Sequence, residues 1–322
     1  MDDGEPVPVH GLLQDHYVDP GGCGVLAGGG SGMNPFAYHT PETQADVLAL
    51  LRQYGDAAKL MAGGTALTIM MKQRLVLPET LISLHRVQGL AGVQERDGAL
   101  YLGALTTHRA AETSAVVQAR LPVLAQTYRE VATIRVRNAA TVGGGLAHAD
   151  PNQDPPVTLL ALDAHVQLAS SNGQREVPLH AFFTDYYETV LRPEELLTAV
   201  RIPLPGPHTG SAHVKFLPRT ADDYATVGVA ATVQLDPATG VCQHCRIALG
   251  SLGATPLRAT QAEAVVQGQR LSPELLREAG AVAQQHTDPL SDTRGSAEYK
   301  RAMAGVFVRR ALEQAWQQAL AG

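Results

Sequence analysis

The sequence predicts an α+β fold. A small βαβ part and a mixed or antiparallel sheet part precede a small C-terminal domain of a three-stranded antiparallel sheet and three helices. Three observations carry this. A strand, a Gly-Gly turn, a helix and a second strand follow one another between Lys59 and Leu84. Hairpin dipeptides Asp97-Gly98 and Asn172-Gly173 punctuate the middle of the chain. Three strand patterns and then three helical ones follow the Pro-rich stretch Pro203–Pro207.

Each element has its own local reason. Residues 1–32 are rich in Gly and Pro without a sustained apolar period, so they read as a disordered extension, with Met33 the expected translation start. Thr40 is an expected N-cap, Pro41 suits the first helical position, and Glu42 faces the positive end of the helix dipole. Val47, Leu48, Leu51 and Tyr54 share a face, and Gly55 stops the helix. Strands are expected at Lys59–Ala62 and Thr80–Leu84, flanking a helix over Thr65–Lys72. Val93–Arg96 pairs with Ala99–Gly103, and Val166–Ala169 with Arg175–Val177. A helix lies near Pro122–Val131, a Gly-rich loop spans Thr141–Gly145, and Leu196–Pro203 is a further strand. Past the linker come strands Ala212–Leu217, Thr226–Leu235 and Val241–Gly250, then helices near 260–267, 273–286 and 297–320. Met303, Val306, Phe307, Ala311 and Trp316 form the buried side of the last helix.

Composition sets the outer limits. With 322 residues and 45% hydrophobic content the chain can bury real cores. No apolar run approaches the ~20 residues of a membrane helix, and the start lacks a signal-peptide profile, so a cytoplasmic location without membrane insertion is expected. A net charge of −6 supplies no electrostatic reason to bind nucleic acid. Three cysteines support neither a disulfide framework nor a four-thiolate cluster.

Two glycine turns carry the chemistry. Ala62-Gly63-Gly64-Thr65-Ala66-Leu67 lies between a strand and a helix, where glycine lets backbone approach a ligand and the helix start offers N–H groups to an anion. Thr141-Val142-Gly143-Gly144-Gly145 can expose successive N–H groups as a nest for phosphate oxygens, and Asp154 can accept from a ribose hydroxyl or cap a helix. Three other patterns carry less. Gly22-Cys23-Gly24-Val25-Leu26-Ala27 fits a dinucleotide fingerprint but no strand precedes it. His148 and Asp150 sit beside glycines that suit an anion rather than a cation. Cys242 and Cys245 have zinc-like spacing without a second pair, and strand alternation would point their thiols to opposite faces.

In their order, these segments resemble the FAD-binding subunits of molybdenum hydroxylases, the group that includes aerobic carbon monoxide dehydrogenase and xanthine dehydrogenase. Ala62–Leu67 resembles the first flavin loop, and Thr141–Gly145 with Pro151 and Asp154 the second. The resemblance continues through Arg192–Leu197 and Lys215–Gly228 (with Arg219, Asp222, Asp223 and Tyr224) to Arg294–Arg301, covering Met33 to about Ala319.

The resemblance implies a FAD-binding domain over 33–206 and a C-terminal α+β domain over 207–322. It implies that both glycine loops hold the FAD pyrophosphate through backbone N–H groups, with the Thr141 hydroxyl added. Asp154 would hold the ribose, Ala147 and Leu197 would flank the isoalloxazine, Lys215 would lie near the flavin, and the Arg219–Asp222 loop would cover one side. Gly145 replaces an Asn or Ser of many relatives, and Ala66 a polar residue. No side chain is expected to act as an acid or base. A large partner subunit would carry molybdopterin and oxidise substrate (carbon monoxide, aldehyde, purine or N-heterocycle), and a small one two [2Fe-2S] clusters. FAD on this chain would pass electrons to an external acceptor. Two other readings stand beside this one: a self-contained flavin oxidoreductase, and a non-catalytic scaffold subunit with decayed flavin loops.

Overall fold

A computed structural model describes residues 24–25, 35–218 and 224–322. Met33, the Arg219–Asp223 segment and, apart from Gly24 and Val25, the expected N-terminal extension lie outside the described residues.

The first sheet is the βαβ part. It contains β1 (Gly24–Val25), β2 (Ala37–His39), β3 (Ala58–Met61) and β4 (Thr80–Ser83), in the order β1-β2-β4-β3. β3 and β4 pair in parallel, as a strand–helix–strand crossover requires, with α2 (Leu67–Lys72) between them in sequence. β2 also pairs parallel with β4, and was not anticipated because its three residues carry no readable period. β1 adds antiparallel to β2, so the Gly24 of the rejected fingerprint belongs to a strand. The first helix, α1 (Gln44–Tyr54), starts later than expected. Its N-cap is Thr43, not Thr40, because the Thr43 hydroxyl accepts from Asp46 N at 3.2 Å and donates to the Asp46 carboxylate at 2.6 Å.

The second part is a five-stranded antiparallel sheet in the order β5-β6-β11-β7-β8. β5 (Val93–Arg96) and β6 (Ala99–Gly103) turn at Asp97-Gly98, with φ of 51° and 70°. The helices α3 (His108–Thr113), α4 (Ala115–Arg120), α5 (Pro122–Arg129), α6 (Ile134–Ala139), α7 (Val142–His148) and α8 (Asp154–Ala161) follow. β7 (His165–Ser170) and β8 (Gly173–Pro178) then pair, and the register Ser170↔Gly173 moves the turn to Ser171-Asn172, one residue earlier than expected. A small hairpin, β9 (Phe183–Asp185) and β10 (Glu188–Thr189), precedes β11 (Leu196–Pro203). The expected Gly-rich loop is therefore helical: Thr141 Oγ1 accepts from Gly144 N at 3.1 Å and caps α7.

The C-terminal sheet contains β12 (Thr209–Phe216), β13 (Val227–Leu235), β14 (Cys242–Gly250) and a two-residue fourth strand, β15 (Leu257–Arg258), where three strands were expected. Helices α9 (Thr260–Val266), α10 (Pro273–Gln285) and α11 (Ala297–Ala321) cover it. Phe307 of α11 stacks on Phe216 with ring centroids 4.4 Å apart. Full burial of each such side chain stabilises by about 1.5–3 kcal/mol. Met303, Val306 and Trp316 are partly buried, whereas Ala304, Val308, Leu312, Ala315 and Ala319 join Phe307 and Ala311 inside.

Cys242 and Cys245 both enter this core as free thiols, contrary to the expectation of opposite faces. A bulge explains the difference. Leu235 pairs with Cys242 but Gln234 pairs with His244, so Gln243 is an extra residue that resets the alternation.

All eight residues of α8 are buried. The helix packs on the middle core and on β13 and β14, and Ala230 and Ala248 of the C-terminal sheet belong to that same core. α8 thus fixes the C-terminal sheet against the glycine-bearing part.

Candidate functional site

One cavity of about 550 Å³ lies where the three sheets meet, a size suited to a small-molecule or cofactor site. Of the residues singled out from sequence, Ala62, Gly63, Gly64, Thr65, Ala66, Leu67, Thr141, Gly143, Gly144, Gly145, Ala147, Asp154, Leu197 and Lys215 line it. Val142 does not: its side chain is in the core and its N–H donates to Thr106 O at 2.9 Å.

The two glycine turns touch. A Cβ on Gly63 would sit 1.9 Å from Ala139 O, and one on Gly144 would sit 2.8 Å from Thr141 Oγ1 and 3.7 Å from the Ala62 Cβ. Only hydrogen fits at Gly63. Gly64 has a different reason, a φ of +66° in the left-handed region that favours glycine.

Their hydrogen-bonding capacity differs in a way sequence did not show. Among the described residues, the backbone N–H groups of Gly63, Gly64, Thr65, Ala66 and Leu67 have no acceptor in the chain. They are a ready cradle for an anion at the start of α2. The second turn is not the open nest that three glycines suggest. Gly143 N donates to Ala104 O at 2.8 Å, Gly144 N to Thr141 Oγ1 at 3.1 Å, and Gly145 N to Thr141 O at 2.9 Å. Helix formation consumes those donors, leaving the Thr141 hydroxyl proton and close, side-chain-free backbone. Gly145 O accepts from Gln153 Nε2 at 2.9 Å, and a Cβ on Gly145 would meet Gln153 Oε1 at 2.9 Å.

Asp154 opens α8, behind Gln153 as N-cap, and its Oδ2 accepts from Lys215 Nζ at 2.8 Å. Both side chains are nearly buried, at 5% and 6% exposure, and Asp154 Oδ1 has no protein partner. Burial pushes the Asp154 carboxyl above its usual range, against the pull of His213 and Lys215. An enclosed carboxylate oxygen without a donor, lining a cavity, suits a ligand hydroxyl.

Sequence reasoning missed several lining residues. His108, tilted against Tyr128 with ring centroids 5.0 Å apart, is buried and its Nδ1 is unpartnered. Burial, aided by Arg137 and opposed by the Thr141 backbone, lowers its pKa to about 4, so the imidazole is neutral at neutral pH. The N-cap Thr107, which accepts from Ala110 N at 3.1 Å, was the available signal.

Tyr187 and Tyr224 stand at the rim, where burial first and then the nearby Asp150 charge raise both phenols. His148 packs on Tyr187 with centroids 5.2 Å apart, and Tyr187 N donates to Ala149 O at 3.2 Å. Ala149 and Tyr187 both have left-handed backbones, φ 53° and 58°, strain that the surrounding contacts hold. The Arg294–Arg301 segment reaches this rim. Arg294 lies 5.5 Å over the Tyr224 ring, Ser296 caps α11, and buried Lys300 pairs with Asp292 at 2.8 Å.

Comparison with known proteins finds matches over both parts of the chain. The FAD binding domain in molybdopterin dehydrogenase matches residues 34–205, and the CO dehydrogenase flavoprotein C-terminal domain matches residues 212–315. The carbon monoxide dehydrogenase medium chain of Hydrogenophaga pseudoflava is 39% identical over 281 residues, spanning 87% of this chain and 97% of that protein. The xanthine dehydrogenase FAD-binding subunit of Escherichia coli O157:H7 is 31% identical, spanning 87% and 95%. Carbon monoxide dehydrogenase from H. pseudoflava superposes with a TM-score of 0.85 at 40% identity, covering 88% of this chain and 98% of that one. Quinoline 2-oxidoreductase from Pseudomonas putida 86 gives 0.81 at 32% identity, covering 89% and 99%.

Proposed function

Because the chain belongs to the FAD-binding subunits of molybdenum hydroxylases, we propose that it is the medium, FAD-carrying subunit of such an oxidoreductase complex. The observation that carries this is the shared cavity, lined both by the loop whose five N–H groups at 63–67 are unspent among the described residues and by Gly143–Gly145 of α7. The residues present fit the cofactor. The first loop receives the pyrophosphate, Thr141 donates its hydroxyl proton to it, and Asp154 Oδ1 accepts from a ribose hydroxyl. Lys215 places a cation nearby, and Ala147 and Leu197 bound the ring. When bound, FAD supplies exchange between one-electron and two-electron carriers.

The chain's own residues bind, orient and enclose. His108 stays neutral beside the glycine helix, so it adds no charge to the cavity. Tyr187 and Tyr224 stand at the rim beside Asp150. The other cofactors belong to partners, a large molybdopterin subunit and a small iron–sulfur subunit, and electrons leave this chain for an external acceptor in the cytoplasm. The functional unit boundaries are 33–206 and 207–322.

The test replaces Gly64 and Gly144 together by Leu in the assembled complex. Flavin content per complex falls to near zero, while substrate oxidation by the partner subunit with an artificial dye persists. Normal flavin content overturns the loop assignment. A wild-type chain that is colourless and takes up no FAD favours the scaffold reading.

A further inference from the structure

The helix α6 stands in the cavity wall without an apolar anchor. It has six residues, none of them buried, and a helix that short does not hold its own place. Its last residue nevertheless decides the shape of the first glycine loop, because Ala139 O is the atom that leaves room only for hydrogen at Gly63. The position of that oxygen must therefore be set by polar ties.

Two such ties come from α3, on which α6 packs. His108 N donates to Ala140 O at 2.9 Å, just past the end of α6. Four residues further along α3, on the same face, the Glu112 Oε2 accepts from Arg137 Nε at 3.1 Å. The same guanidinium reaches back to the turn before α6, where Arg137 Nη1 donates to Val131 O at 2.8 Å and to Ala132 O at 2.9 Å. Ala132 has a left-handed backbone there, φ 39°, a strained conformation that its surroundings must hold. Glu112 is itself fixed: its Oε1 accepts from Arg109 Nη1, and its backbone carbonyl from Gln118 Nε2 at 3.0 Å. The Glu112 and Arg137 side chains are 9% and 13% exposed, so salt and water screen the pair little.

What the pair acts on is visible in the cavity lining. His108, Val131, Ala132, Val136 and Ala140 line the cavity, whereas Glu112 and Arg137 do not. We propose that Glu112 and Arg137 are positioning residues of the cofactor site: by holding α6 and the 131–132 turn they place Ala139 O against Gly63, and so set the width of the N–H cradle at 63–67 for a diphosphate ligand. Arginine is required for this task. Its planar fork meets a carboxylate and two carbonyls at once, which an ammonium on a flexible stem does not reproduce.

This rests on FAD as the ligand of the cavity, and the experiment keeps the two apart. The full chain, taken from its assembly and stripped of flavin, is titrated with FAD by fluorescence quenching as wild type, Arg137→Lys, Gly63→Ala and the double variant. Arg137→Lys keeps a cation opposite Glu112 but loses the fork, and FAD affinity falls by about tenfold. In the Gly63→Ala background the loop is already pushed off Ala139 O, so the same substitution lowers affinity by about twofold or less. That coupling is what a general loss of stability would not produce, because such a loss weakens both backgrounds alike. At saturating FAD, the phosphorus NMR resonances of the bound diphosphate shift in Arg137→Lys. Glu112→Gln, which keeps an acceptor for Arg137 and serves if Arg137→Lys does not fold, gives a smaller fall with the same coupling to Gly63→Ala. Equal losses in the two backgrounds, or wild-type affinity with an unchanged phosphorus spectrum, overturn the proposal. A wild-type chain that binds no FAD overturns the functional reading instead.

Discussion

Within the first glycine loop, Gly63 and Gly64 are glycine for different reasons, and alanine separates them. At Gly63 a Cβ would lie 1.9 Å from Ala139 O and 2.6 Å from Ala139 C, both backbone atoms that cannot swing away. Ordinary contact requires about 3.4 Å, so the first turn and the end of α6 must part by about 1.5 Å. Such overpacking costs about 1–3 kcal/mol. The separation also widens the cradle formed by the N–H groups of 63–67 opposite Thr141. If that cost falls on the bound geometry, FAD affinity drops by about 5- to 150-fold. At Gly64 the nearest atoms to a Cβ would be Met61 Sδ and Thr68 Oγ1 at 3.3 Å, both on movable side chains, and the penalty is the left-handed φ of +66°. That costs about 1 kcal/mol and moves no backbone. Gly63→Ala should therefore lose far more cofactor than Gly64→Ala. FAD titration of both variants, beside their thermal unfolding midpoints, checks the ordering. Equal affinities, or Gly63→Ala binding as tightly as wild type, would refute the argument that contact between the first turn and the end of α6 shapes the site.

Two further outcomes follow from the buried charges. Lys215→Met leaves Asp154 without its ammonium and should destabilise the chain by about 3–5 kcal/mol in denaturant unfolding, most of which the double variant Asp154→Asn/Lys215→Met recovers. His108 titrates near 4 when folded and near 6.5 when unfolded, so the unfolded chain binds the extra proton first. Its contribution is present above about pH 6.5 and is lost as the pH falls toward about 4, at most about 3 kcal/mol. His108→Gln should flatten that part of the stability–pH curve measured by urea unfolding; an unchanged curve would show that the imidazole is not the group responsible.

Much of the architecture was legible because its signals are local. Asp97-Gly98 sets a primed hairpin turn, and Leu196–Pro203 alternates from Val200 onward. The glycine loops in order with Arg192–Leu197, Lys215–Gly228 and Arg294–Arg301 carried the resemblance that implies FAD. Signals that depend on competition between neighbours were misread. Thr43 displaced Thr40 as cap because only Thr43 has Asp46 three residues on. The inserted Gln243 brought both thiols into one core, which no alternation rule can foresee.

The sequence by itself determined the longer strands, the C-terminal helices and the two glycine turns, and which family the chain resembles. These follow from spacing along the chain. Only the tertiary structure decided how the N–H groups are spent: five stay open at 63–67, while capping and backbone partners from residues 104, 106 and 141 absorb those at 142–145. It alone brought Glu130, Asp154, His213 and Lys215, 85 residues apart at their widest contact, into one enclosed cluster. A hydrogen bond or charge pair is decided by angstroms between atoms, and chain distance carries no information about that once helices and sheets have packed.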